Sequence, residues 1–191
     1  MVKIIIIVHL LIFQSMFFRK NRLLSKKIGR SIRGKNKEAI LSVVLFSLTI
    51  SVSVLSAFSK PLHELFSPIS IFSTDYFLSA GILLLLVNLV ISFLALRDMR
   101  DSWRIGVKEG EITGLVTDGI FGVSRNPYFL SYIIMFIAYI LLITNILVIV
   151  FSLLSVLSIH KMIIREETHL ESLHGERYLT YKKEVPRYFI V

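Results

Sequence analysis

Four short polar groups in this sequence could do chemistry, and two of them adjoin a long apolar run. Ser124-Arg125-Asn126-Pro127 sets a guanidinium and an amide directly before one such run. Pro127 suits a first helical turn, where its missing N–H goes unnoticed. Arg125 is then expected at a helix N-terminus, near backbone donors that favour anions. Glu166 and Glu167 are adjacent carboxylates where another apolar run ends. At a helix C-terminus they oppose the dipole and call for a counter-cation; Lys161 and Arg165 could serve, or a cation from outside the chain. The tail adds Gly175, Tyr178 and Tyr181, then Val185-Pro186-Arg187-Tyr188.

Before Arg125, residues 99–127 carry Gly106, Gly110, Gly114, Gly119 and Gly122, a spacing that suits a turn-rich, strand-like lid. The single tryptophan, Trp103, falls just past an apolar run, where an amphipathic ring suits the membrane interface. His160, His169 and His174 are spaced nine and five apart, which fits no compact helical zinc pair, and no cysteine helps. No metal is expected.

The elements that must position these groups are set by hydropathy. The 191 residues are 54% hydrophobic and only 18% charged, with a mean hydropathy of +0.73. That leaves too little polar surface for a soluble globule. Five apolar stretches, about 2–18, 39–58, 76–96, 128–143 and 146–164, approach the roughly 20 residues that a span requires. The first is followed by basic residues rather than a small-residue cleavage site, so it reads as a span and not a signal peptide.

The formal charge of +9 is unevenly placed: 20 of the 22 Lys and Arg fall in segments 19–37, 97–127 and 161–191. Positive segments stay cytoplasmic. Five spans put all three on one side, with the N-terminus outside and the C-terminus inside. Topology thus accounts for the charge, and nucleic acid is not an expected partner, because the aromatic residues lie in the apolar runs. Only Thr144–Asn145 joins the last two runs, which predicts a tight helical hairpin. Its two ends would bring Arg125 and the 161–191 tail together at the inner face. The hydroxyl-rich second run, with Ser42, Thr49 and Ser53, predicts close helix packing, and Asn88 a bond across helices.

The ordered set Gly119-Ile-Phe-x-x-Ser-Arg125-Asn126-Pro127, an apolar hairpin, Glu166-Glu167-x-x-Leu170, Gly175-x-x-Tyr178-x-x-Tyr181 and Val185-Pro186-Arg187-Tyr188 resembles the isoprenylcysteine carboxyl methyltransferase and phospholipid methyltransferase superfamily. These are small helical membrane enzymes that use S-adenosylmethionine. The resemblance covers roughly residues 99–190 and implies a cofactor pocket lined by Gly119, Arg125, Asn126 and Pro127. It implies that Glu166 and Glu167 face the cofactor's cationic part and that Tyr178 and Tyr181 enclose it. It implies that Arg125, Glu167 and Arg187 carry the chemistry, and that Trp103, Arg104 and Arg187 meet the acceptor. Three positions depart from the pattern: Asn126 where His is usual, Phe129 where Tyr is, and Ser131 where Gly is frequent.

The expected fold is therefore an all-α integral membrane protein of about five transmembrane helices, with a cytoplasmic cofactor pocket built from the 97–127 loop and the C-terminal tail. Residues 1–98 would supply three spans and a basic cytoplasmic loop at 19–37. Residues 99–191 would form a methyltransferase-like core around the hairpin at 128–164. The expected reaction is methyl transfer from S-adenosylmethionine to a membrane lipid, or a lipidated or small hydrophobic acceptor. With no His at 126, a carboxylate or thiol acceptor is favoured over an amine that must first lose a proton. Two other readings are a sterol-reductase-type enzyme using NADPH and a non-catalytic membrane scaffold. Arg125-Asn126-Pro127-Tyr128 does not reproduce the reductase element Arg-x-Pro-Asn-Tyr.

Overall fold

The computed structural model describes residues 1–29, 37–66, 75–104 and 114–189. Gly106 and Gly110 of the expected lid lie outside the described residues. The described residues form seven α-helices: α1 Val2–Ile28, α2 Lys37–Phe58, α3 Lys60–Leu65, α4 Asp75–Asp98, α5 Pro127–Ile143, α6 Ile146–His174 and α7 Glu176–Glu184. α1, α2, α4 and α6 are each long and apolar enough to cross a bilayer, and α5 is a shorter apolar helix. The chain is a multi-pass membrane protein, and its outward face agrees: Leu11, Val43, Leu83, Val90 and Leu157 are exposed, as lipid-facing side chains should be.

Two helices outrun their apolar stretches. α1 continues through Arg19–Lys27 to a left-handed Gly29 cap, so the first part of the expected basic loop is helix. Lys and Arg are good helix formers, and hydropathy reports where lipid ends rather than where a helix does. α6 likewise runs ten residues past Ile164 to His174. At 1.5 Å per residue its 29 residues reach about 43 Å, against roughly 30 Å of hydrocarbon. Its last third, with Glu166 and Glu167, therefore stands beyond the spanning stretch.

Small and polar side chains set the pairing of the helices. α2 packs along α6, where Thr49 bonds both the Ser155 hydroxyl (2.8 Å) and the Phe151 carbonyl (3.0 Å), and Ser42 meets Ser158 (2.9 Å). α4 packs along α5: Asn88 donates to the Ser131 carbonyl at 2.7 Å and Ser92 to the Ser131 hydroxyl at 2.8 Å. The oxygen of the same Asn88 amide accepts from His9 Nε2 of α1 at 2.8 Å. The hairpin helices α5 and α6 consequently touch α4 and α2 more than each other. Asn145 caps α6 through Leu147 N–H (2.9 Å), and Ile146 N–H bonds the Phe66 carbonyl, which ties the turn to the end of α3.

Candidate functional site

At the other end of the bundle, the start of α5, the last third of α6 and the tail around α7 converge. Tyr178, Tyr181 and Val185 form a small buried cluster with Leu115 and Leu170, which seats α7 against α6 and the segment before α5. The Tyr181 hydroxyl donates to the Phe121 carbonyl at 2.7 Å, and Arg125 N–H donates to the Pro186 carbonyl at 2.9 Å. The hairpin and these ties bring Arg125 and Glu167 together from 42 positions apart.

Glu167 is the centre of the polar network. Arg187 holds it by Nε to Oε1 at 3.1 Å and Nη2 to Oε2 at 2.9 Å. Arg125 adds Nη2 contacts at 3.3 and 3.4 Å, and the Asn126 amide donates to Oε1 at 3.0 Å. The side chains of Arg125 and Glu167 are 8% and 6% exposed, so this pair is shielded from water. Burial alone would raise the Glu167 carboxyl, but the Arg187 hydrogen bonds and the two guanidinium charges hold it below the usual carboxylate range.

Arg125 does a second task. Its Nη1 donates to the carbonyls of Lys182 (2.9 Å) and Val185, in the last turn of α7 and just past it. Those are groups that a helix C-terminus leaves unpaired, at the negative end of its dipole. The guanidinium is thus committed to a carboxylate and two carbonyls within the chain, just before the start of α5. Asn126 is the N-cap of α5 by position, but its side chain turns to Glu167 instead of capping the helix.

Glu166 differs from its neighbour. It is half-buried and, among the described residues, has no ion-pair partner. Burial, and then the adjacent Glu167 charge, push its carboxyl up to about 7. Adjacent helical positions point about 100° apart, so only one of the two glutamates can face the arginines.

A cleft partly open to solvent runs beside this network. Arg125, Asn126, Pro127, Glu166, Glu167, Tyr178 and Tyr181 all border it, as do Trp103 and Arg104. The Tyr128 and Tyr178 hydroxyls are buried and, among the described residues, make no well-formed hydrogen bond. Trp103 is 5% exposed, donates to the Asn21 side chain at 2.7 Å and meets the Tyr128 ring edge-on at 4.8 Å. It is a packed wall of the cleft, not a lipid-facing anchor.

Two expected residues stand outside the lining. Arg187 reaches the site through its side chain on Glu167 and through its carbonyl, which accepts from Ser124 and Asn126. Gly119 has φ +61°, and a Cβ there would collide with the Asp98 carboxylate, which accepts the Ile120 N–H at 3.0 Å. Its glycine serves that turn. Tyr128 was not singled out from the sequence; it reads as one more aromatic in a span, and only its place directly after Pro127 hinted otherwise.

With this geometry in place, similarity to known proteins adds an independent observation. The family model for phospholipid methyltransferases matches residues 76–177, more than half of the chain, from α4 through the glutamate pair to the start of α7. No curated protein matches the chain.

Proposed function

The chain belongs to the phospholipid methyltransferase family, and on that premise we propose that it moves a methyl group from S-adenosylmethionine to a lipidic acceptor, in the cleft beside Glu167. The family's methyltransferases use S-adenosylmethionine. The observation that carries the reading is the convergence of Arg125, Asn126, Glu167 and Arg187 beside an unpaired, half-buried Glu166.

The residues present fit such a cofactor. Glu166 offers a carboxylate to a cation, the hydroxyls of Tyr128 and Tyr178 lack well-formed partners, and Trp103, Phe121 and Leu170 give an apolar wall. When bound, the cofactor supplies a methyl group already activated by its sulfonium. The chain's part is alignment and exclusion of water, a contribution of up to about 7–11 kcal/mol. Glu166 would counter the cationic portion, Tyr178 and Tyr181 would close over it, and Glu167 would lock the start of α5 to the tail through its arginines. Arg187, one third exposed, and Arg104 would meet a polar acceptor headgroup.

The acceptor is a lipid in this account. Among the described residues of the cleft, Glu166 is the only carboxylate not held by an arginine, and it is assigned to the cofactor. That favours an acceptor arriving ionised, a carboxylate or thiolate, over an amine; the family's description points to phospholipids, so both belong in the assay. Residues 99–191 carry the cleft's polar groups, and α4, within the matched region, is their scaffold. The distribution of basic residues supports an N-terminus outside and a cleft facing the cytoplasm.

The test is methyl transfer itself. Membranes containing the protein, given S-adenosylmethionine labelled in its methyl group, should place label in the lipid fraction, and membranes with Glu166→Gln should not. Equal labelling by the two preparations overturns the proposal.

A further inference from the structure

Only two of the 22 Lys and Arg lie outside the three basic segments, Lys3 and Lys60. They border one cleft, at the bundle end opposite the candidate active site. Lys3 comes from the start of α1, Ser56 from the end of α2, Lys60 and His63 from α3, and Leu142 and Ile143 from the end of α5. The Lys3 ammonium stands 5.6 Å from the Phe58 ring centroid, a cation–π contact that holds it at this end of α2. Lys60 lies 3.6 Å from Glu64, but both side chains are well exposed, so water screens the pair and leaves the ammonium available.

Snorkelling accounts for a lysine at a helix end. It does not account for Ser56. That residue is 2% exposed and borders the cleft, and among the described residues its hydroxyl has no hydrogen-bond partner. A buried hydroxyl without a partner is costly, and an acceptor oxygen entering the cleft would remove the cost.

We propose that this cleft binds the phosphate of an anionic lipid headgroup in the leaflet opposite the candidate active site. Lys3 and Lys60 counter its charge, Ser56 donates a hydrogen bond, and His63 borders the same space. Leu142 and Ile143 form an apolar wall against which the first acyl carbons lie, which favours a lipid phosphate over a free one. This binding is independent of the methyl-transfer reading.

The experiment places the protein in phosphatidylcholine nanodiscs containing a phosphatidylglycerol with a photoreactive group near its headgroup, and maps the labelled peptides. Label is expected on the peptides around residues 56–63 and 142–143. It should fall about tenfold or more in the Lys3→Gln/Lys60→Gln double variant, given the strength of two lysines near a lipid surface. The Lys3→Arg/Lys60→Arg variant should retain it, and labelling of the basic end of α1 should persist in both as a control for folding. Equal labelling by photoreactive phosphatidylcholine, or undiminished labelling of the glutamine variant, overturns the proposal. So does suppression by millimolar inorganic phosphate as complete as that by unlabelled phosphatidylglycerol, which would identify a free-anion site.

Discussion

Arg187 grips Glu167 in a two-pronged fork, Nε to Oε1 at 3.1 Å and Nη2 to Oε2 at 2.9 Å. Arg125 approaches the same carboxylate from the segment before α5. One carboxylate therefore joins three separate parts of the chain, and the cleft exists because they are joined. Its neighbour Glu166 takes no share in this bond, and burial raises its carboxyl to about 7.

Removing the anion from the network should cost stability before it costs chemistry. Glu167→Gln keeps the shape but leaves two guanidiniums facing a neutral amide, a loss on the order of 3–5 kcal/mol for a shielded pair. Thermal unfolding in detergent should show a clearly lower midpoint than wild type. An unchanged midpoint would mean the network does not hold the tail.

Arg125→Ala should loosen the tail specifically, because Arg125 also ties down the carbonyls of Lys182 and Val185. Limited proteolysis should cut after residue 175 several times faster than in wild type, while cleavage elsewhere stays the same. Arg125→Lys should rescue only part of this, since a lysine cannot fork between a carboxylate and two carbonyls.

Glu166 should give opposite pH signatures in binding and in stability. Glu166, raised to about 7, is mostly protonated in the folded protein below that pH, and only its ionised form pairs with a cation. Affinity for S-adenosylhomocysteine should therefore fall as pH drops from 8 to 6, by up to about tenfold per unit below 7. Glu166→Gln should bind weakly and without that dependence. For stability the sign runs the other way. A carboxyl raised above its unfolded value loses its contribution as pH rises toward 7, so the melting advantage of Glu166→Gln should grow from pH 5 to pH 8.

Tyr178 separates folding from binding. Its hydroxyl is buried without a well-formed partner, so Tyr178→Phe should fold as well as wild type or slightly better. Ligand affinity should drop by roughly 2–10-fold, the worth of one hydrogen bond. A loss of stability with unchanged affinity would place the hydroxyl in the core rather than the cleft.

The apolar runs were legible in the sequence, and so was the meeting of Arg125 with Glu167, because a two-residue turn leaves the hairpin ends little choice. Helix ends were less legible: α1 runs through basic residues that lipid rejects and a helix tolerates. Which glutamate meets the arginines could not be read, since Glu166 and Glu167 differ only by a 100° rotation. Gly119 was expected at the cofactor, yet its positive φ and the nearby Asp98 explain it locally. Tyr128 escaped notice for the opposite reason, an aromatic among aromatics whose unsatisfied hydroxyl shows only in three dimensions.

Titration of the purified protein with S-adenosylhomocysteine by calorimetry is the most direct measurement. Saturable one-site binding tighter than about 1 mM is expected, in the range usual for enzyme ligands, and Glu166→Gln should weaken it sharply. No saturation up to that concentration, or equal binding by the variant, would contradict a cofactor pocket in which Glu166 pairs with the ligand's amino group.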